Sequence, residues 1–387
     1  MNGVVYPDHA LEEGTRCSRR TDPIKLQSRL SVFFALAICF AAAAVFFLAA
    51  GAGAAEFSKE SVLSPCSNCH SERFLDPKYN EWRNSTHKEL VDAESPESPA
   101  KRDVCVGCHT AQGFAEKKTK KAEVPNPLPQ TCVACHSVEN HGKVPAYVRM
   151  YGKVTLPDKI TIANAGTGAV CMACHNSRRD VTNPQIFKAK SAPHGSPQAD
   201  MLKGSGAFEI PGYRYSNSVH TTVENGCVTC HMAPPPPGAE GIVGGHTFKV
   251  VSGKAQNTNA CVGCHRKVEA LNRPAVGDFD GDKIIEPVQD EVKGLTDLLK
   301  KTIEDRMDGG KGGTLDESHG QVVFKGKDGK PIKPESIPEA QYIAAYNYFF
   351  VHSDKSNGIH NTSYAVQLLQ SSYQNLTGKP VPNAYIR

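Results

Sequence analysis

Six copies of one short peptide, Cys-x-x-Cys-His, constrain what this chain can fold into. They are Cys66-Ser-Asn-Cys69-His70, Cys105-Val-Gly-Cys108-His109 and Cys132-Val-Ala-Cys135-His136, followed by Cys171-Met-Ala-Cys174-His175, Cys227-Val-Thr-Cys230-His231 and Cys261-Val-Gly-Cys264-His265. Together they use twelve of the fourteen cysteines. Two cysteines at this spacing with a histidine directly after the second are the attachment signature of c-type haem. The thiols form thioethers at the porphyrin edge and the histidine ligates the iron. A zinc site could use two such cysteine pairs but needs no histidine after every second cysteine. A disulfide scaffold does not repeat one local spacing. A thioredoxin-like pair is single and accompanies a βαβ pattern that is missing here.

Six covalent haems resolve a difficulty in the composition. Of 387 residues only 39% are hydrophobic and 7% aromatic, with a single tryptophan. That is poor material for a protein-only core of this length. Between Cys66 and His265 there is one motif per roughly 33 residues, so neighbouring haems are expected to touch and to form the core themselves. The expected fold is mainly α with extensive coil and little β, a multihaem cytochrome c fold wrapped around a closely packed haem chain. The formal charge of +4 omits the haem propionates. Counting them takes the loaded protein to about −2 oxidised and about −8 reduced, which removes any argument for nucleic acid. Lys117, Lys118, Lys120 and Lys121 form a basic cluster, read as a solvated loop or as a docking patch for an acidic redox partner.

Residues 1–55 read as a secretory signal or, alternatively, an N-terminal membrane anchor. A basic flank precedes the apolar stretch SVFFALAICFAAAAVFFLAA at 31–50, and small residues follow. Cleavage is expected near Ala54 or Ala55; the length of the apolar run keeps the anchor open. Cys17 and Cys39 fall in this leader. Export to the periplasm or cell surface agrees with haem attachment outside the cytoplasmic membrane. Residues 56–270 are expected to bind the six haems. Residues 271–387 are expected to be a helical region that packs on them and supplies a distal ligand. Apolar periodicity at Val288, Val292, Leu295, Leu298, Leu299 and Ile303 predicts a helix over 286–307. Two amphipathic helices are predicted over 337–352 and 361–376. A hairpin is predicted over 321–334, with Asp328-Gly329 as its turn.

Each motif supplies one axial ligand: His70, His109, His136, His175, His231 and His265. Outside the motifs and the leader stand His87, His141, His194, His220, His246, His319, His352 and His360. That supply allows two histidines on every iron, which closes the iron to substrate and suits electron transfer. The six best distal candidates are His87, His141, His194, His220, His246 and His360, each in a turn-like context where an imidazole can be aimed at a metal. His319 and His352 read as surface histidines.

The stretch Tyr79-Asn-Glu-Trp82-Arg-Asn-Ser-Thr-His87 after the first motif resembles the opening module of the cytochrome c554 and hydroxylamine oxidoreductase group of multihaem cytochromes. So do Ala192-Pro-His194-Gly-Ser-Pro-Gln-Ala-Asp-Met201, Ser218-Val-His220 ahead of the fifth motif, and Gly358-Ile-His360-Asn-Thr-Ser-Tyr364. The resemblance covers most of residues 60–376 and implies distal roles for His87, His220, His246 and His360. Octahaem members carry eight motifs where this chain has six, and it has no Cys-x-x-Cys-Lys haem motif. The expected function is therefore electron transfer between redox partners, either other redox proteins or a quinol-linked membrane complex; a homo-oligomer is an open alternative. The competing class is an oxidoreductase acting on hydroxylamine or nitrite at one open haem. A separate acidic stretch, Asp278-Phe-Asp280-Gly-Asp282-Lys283, reads as an acidic turn or as the start of a calcium loop, with lysine where such loops place glycine.

Overall fold

The protein is described by a computed structural model covering residues 57–387; the leader, with Cys17, Cys39 and the expected cleavage point, lies outside the described residues. Short helical turns joined by long coil make up the first two thirds. Sheet among the described residues consists of three antiparallel hairpins, β1–β2 (Gly152–Thr155, Thr161–Gly166), β3–β4 (Val251–Ser252, Ala255–Gln256) and β5–β6 (Gly313–Ser318, Gln321–Gly326). The fold is mainly helical with extensive coil and little sheet, as the sequence predicts.

Four helices are long enough to organise packing. Helix α1 (Glu72–Arg83) buries Leu75, Tyr79 and Trp82, spaced so that all three fall on one face. Helix α2 (Val288–Asp305) buries Val292, Leu295, Leu299 and Ile303 on one stripe, and its outer face carries the i,i+4 ion pairs Lys293–Asp297 and Lys301–Asp305. Helices α3 (Glu339–Asp354) and α4 (Thr362–Thr377) close an antiparallel pair over α2. The expectation for α3 needs correcting. It is buried on nearly every side rather than amphipathic, with Tyr342, Ala344, Ala345, Tyr346 and Phe350 all fully buried. Its polar residues are carried inside because each finds a partner: the Gln341 amide donates to the Ile303 carbonyl (3.1 Å), and the Asn347 amide donates to the Phe208 carbonyl (2.9 Å).

The predicted hairpin is also shifted. β6 pairs with β5 through a tight turn at His319-Gly320, and the return beyond Asp328-Gly329 makes a single bridge, Lys325 with Pro331. Gly320 adopts φ +73°, the left-handed region a turn there requires.

The C-terminal helices hold the coil of the haem-motif region in place. Tyr342 donates its hydroxyl to the carbonyls of Ile186 (3.0 Å) and Ser191 (2.7 Å), and Tyr346 donates to Gly206 (3.1 Å). Asn361, at the start of α4, accepts from the Ser218 amide (2.8 Å) and donates to the Met201 carbonyl (3.2 Å). These bonds fix the backbone on both sides of His194 and just ahead of His220. Ile186, Ala192 and Met201 share one core with α2, α3 and α4. Two smaller clusters lie elsewhere: Val62, Leu63, Leu75, Tyr79 and Trp82 around α1, and Val154, Leu156, Ile162 and Met172 around β1–β2. Among the described residues no helix is long and apolar enough to cross a membrane.

Candidate haem sites

Each Cys-x-x-Cys-His motif forms a helical turn, at Cys66–Asn68, Val106–His109, Cys132–Cys135, Ala169–Met172, Cys227–His231 and Asn259–His265. The turn geometry brings the two thiols of a motif to one side. None of the twelve cysteines is in a disulfide.

The histidines pair one to one. Ring centroids lie 5.8 Å apart for His70 and His141, and 6.1 Å apart for His109 and His194. The separation is 6.2 Å for His136 and His246, and 6.1 Å for His175 and His87. It is 6.1 Å for His231 and His360, and 6.1 Å for His265 and His220. Every motif histidine takes part once, and its opposite number is a different non-motif histidine each time. Two imidazoles bound through nitrogen to opposite faces of one metal, at about 2.0–2.1 Å each, place their centroids about 6 Å apart. The residues therefore fit six iron centres with two imidazoles each. His319 and His352 oppose no motif histidine; the His352 ring stacks on Tyr348 at 5.3 Å, and His319 is exposed at the β5–β6 turn.

Backbone and side chains set the rings from behind. Nδ1 of His231 lies 2.9 Å from the Phe248 carbonyl, that of His136 2.9 Å from the Ala146 carbonyl, and that of His220 2.5 Å from the Ile359 carbonyl. An N–H donated from Nδ1 leaves Nε2 free to ligate, and fixes the plane of the ring. The Ser196 hydroxyl lies 2.9 Å from Nδ1 of His194. His360 faces a carboxylate instead: Asp354 Oδ1 is 2.6 Å from its Nδ1, and the Asp354 side chain is 1% exposed. His246 has Glu81 at 3.5 Å, and the same carboxylate accepts its backbone N–H at 2.9 Å. Gly245 makes that approach possible, since a Cβ there would meet Glu81 Oε2 at 2.5 Å. Arg273 contacts Nδ1 of His265.

Burial keeps most of these rings neutral, as a metal ligand must be. It lowers His87 to about 4, with His175 adding to the effect, and lowers His109 to about 4, with Arg178 adding to it. It lowers His194 to about 3, again with Arg178 nearby. At His360 burial works in the same direction but is outweighed by Asp354, so the net shift is upward.

Sequence reasoning missed the residues behind the ligands: Asp354, Glu81, Ser196 and Phe248. Glu81 and Ser196 both stand in stretches that carry the family resemblance, and nothing in the local pattern around Glu81 marks it as a partner of a histidine 165 residues away. In the basic cluster, Lys118 pairs with Glu116 (2.6 Å) and Lys120 with Asp103 (3.6 Å), so two of the four lysines are met by acids of this chain.

Asp278, Asp280 and Asp282 bring carboxylate oxygens within 4.8 Å of one another. Each also accepts a backbone N–H, from Lys283 (2.7 Å), Asp282 (3.1 Å) and Ile284 (2.7 Å) respectively. Lys283 itself takes the left-handed conformation, φ +77°, that glycine supplies in calcium loops.

Residues 198–378, which contain the fifth and sixth motifs, match a family model described as cytochrome c552. No curated protein matches the sequence. Among solved structures the chain is similar to the outer cell wall cytochrome OcwA, at 21% identity and a TM-score of 0.49, over 78% of this chain and 50% of that one. It is also similar to an undecahaem cytochrome from the S-layer of Carboxydothermus ferrireducens, at 18% identity and a TM-score of 0.39, over 72% of this chain and 38% of that one. The chain thus spans half the length of the first and less of the second. The motifs and the family match together make covalent haem c the cofactor class.

Proposed function

We propose that this protein is an extracytoplasmic c-type cytochrome with six covalent haems, each held between two histidines, and that it relays electrons between redox partners. The observation that carries this reading is the complete set of six imidazole pairs at 5.8–6.2 Å, which leaves no motif histidine without a partner. Bound haem supplies a one-electron couple at each site. The chain's own part is to offer the iron an imidazole on each side, so that oxidation state changes without a change of ligands, and to hold the rings of His136, His194, His220, His231 and His360 by their Nδ1 contacts so that little rearranges. An iron capped on both faces has no position for hydroxylamine or nitrite, which sets the relay ahead of catalysis. In this reading residues 271–387 form the cap that supplies His360. The basic and apolar leader is the basis for export to the periplasm or cell surface, and the partners are other redox proteins or a quinol-linked membrane complex.

Two measurements test this. Pyridine haemochrome quantification with intact mass is expected to give six haems per mature chain; four or fewer would overturn the count. Electron paramagnetic resonance of the oxidised protein is expected to show low-spin ferric iron throughout. A high-spin component that responds to nitrite or hydroxylamine, with turnover, would establish an enzyme instead. A second cofactor reading, calcium at Asp278, Asp280 and Asp282, is favoured by the mutual approach of their carboxylates. Elemental analysis before and after chelation decides it.

A further inference from the structure

The six sites do not adjoin one another in the order of the sequence. Each is named here by its motif histidine. A motif is the point at which haem is attached, so motif segments that pack together bring two porphyrin edges together. The Cys66 side chain, of the His70 site, and the Cys132 side chain, of the His136 site, pack against the same cluster around α1. His194, which faces His109, donates its backbone N–H to the Ser177 carbonyl at 2.9 Å, two residues beyond His175. Met172, inside the attachment turn of the His175 site, and Cys227, of the His231 site, pack in one cluster with β1–β2.

Phe248 joins a third neighbour to the His175 site. Its ring lies 4.8 Å from His87, which faces His175, and 5.9 Å from His246, which faces His136. Its carbonyl meanwhile takes the Nδ1 contact of His231. One residue thus touches ligand rings of three sites, and it holds a left-handed backbone, φ +56°, that a phenylalanine rarely adopts. At the far end, the helical turn of the His231 site packs on that of the His265 site. The Asn259 amide ties the two segments by donating to the Pro234 carbonyl at 3.2 Å.

From these contacts we infer that the His175 site is a junction with three neighbouring sites. The wiring runs His70–His136–His175–His231–His265, and the His109 site joins it at His175. This deepens the relay function proposed above and rests on it. Each hop moves one electron from a reduced site to an oxidised neighbour, with no bond made or broken and no proton carried. Of the twelve motif cysteines only Cys69 and Cys264 are exposed, and they belong to the two ends of the five-site run. Those ends are where partners exchange electrons with the chain. A junction lets a third haem load or drain the run at its middle site, so the protein holds one more electron without lengthening the route between its ends.

Diffraction from crystals of the holoprotein at the iron absorption edge tests this directly, because anomalous peaks locate irons independently of activity. The expected result is six peaks, with the iron between His175 and His87 having three near neighbours, one of them the iron between His109 and His194. Six peaks in which that iron has only two near neighbours, or in which the His109 iron lies between the His70 and His136 irons, would overturn the junction and leave the six-haem relay standing. Fewer than six peaks would overturn the relay reading, and the inference with it.

Discussion

Replacing His360 by alanine should convert one haem in six to a five-coordinate centre. His360 lies 6.1 Å from His231, and its ring is held in place by Asp354 at 2.6 Å. Alanine removes the ring but not the helix that carries the carboxylate. Oxidised His360→Ala protein should therefore show a high-spin ferric signal amounting to about one-sixth of the iron, with the rest low-spin. Stability should fall as well, because Asp354 loses a partner while 1% exposed. A buried acceptor left unsatisfied costs about 1–3 kcal/mol. The lower part of that range is expected, since the Ser356 hydroxyl still donates to the other Asp354 oxygen. Adding Asp354→Asn to the variant should recover part of the lost stability without touching the high-spin signal, which separates ligand loss from carboxylate burial. Added imidazole should enter the vacated space and restore the low-spin spectrum. An unchanged spectrum in His360→Ala would refute the assignment of His360 as a ligand, and with it the argument from ring separation for the other five pairs.

Asp354→Asn alone should keep all irons low-spin but raise the midpoint potential of one haem, because a carboxylate behind an imidazole strengthens its donation to ferric iron; a redox titration superimposable on the parent's would contradict this. Burial raises the Asp200 carboxyl to about 7, even though it accepts two hydrogen bonds from Ser177. The folded state then binds the proton more tightly than the unfolded chain, so this group's contribution to stability is greatest below about pH 4 and is lost as pH rises towards about 7. Asp200→Asn should flatten the stability profile over that window, and thermal denaturation from pH 4 to 8 reads it. Trp82→Phe should lose about 1 kcal/mol through the hydrogen bond from its indole N–H to the Gln130 carbonyl (2.8 Å), measurable by denaturant titration.

The helical C-terminal region was legible because its signal is local. The stripe from Val292 to Ile303 marks α2 without reference to anything distant. α3 was misjudged for the opposite reason. Its surroundings come from α2, α4 and a coil 150 residues earlier, and Gln341 and Asn347 look like a solvent face until their buried partners are known. The attachment turns could be read because cysteine and histidine are adjacent in sequence. His87, His141, His194, His220, His246 and His360 could be singled out by their turn-like settings. Which one faces which motif could not, because His87 lies opposite His175 while motifs two and three intervene. The same holds for Asp354 and Glu81, which earn their place only once the chain has folded.

The uneven distribution of protein-only packing bears on how the molecule is made. Between residues 84 and 150 the buried hydrophobic residues are Ala100, Val106, Ala111, Val124, Ala134 and Val148, all small and outside the three clusters. Burying a valine or a larger apolar side chain contributes about 1.5–3 kcal/mol, and this stretch buries three valines but no leucine, isoleucine, methionine or aromatic residue. The α2–α4 core, by contrast, is assembled from tyrosine, phenylalanine and leucine and needs no cofactor to close. Maturation should therefore proceed in two tempers: the C-terminal third condenses by itself, while the stretch carrying motifs two and three stays open until its prosthetic groups are stitched in. An underloaded chain would then expose this stretch to proteases, making cofactor loading a quality-control gate. Limited proteolysis of haem-depleted protein should cut within 84–150 and spare α2–α4.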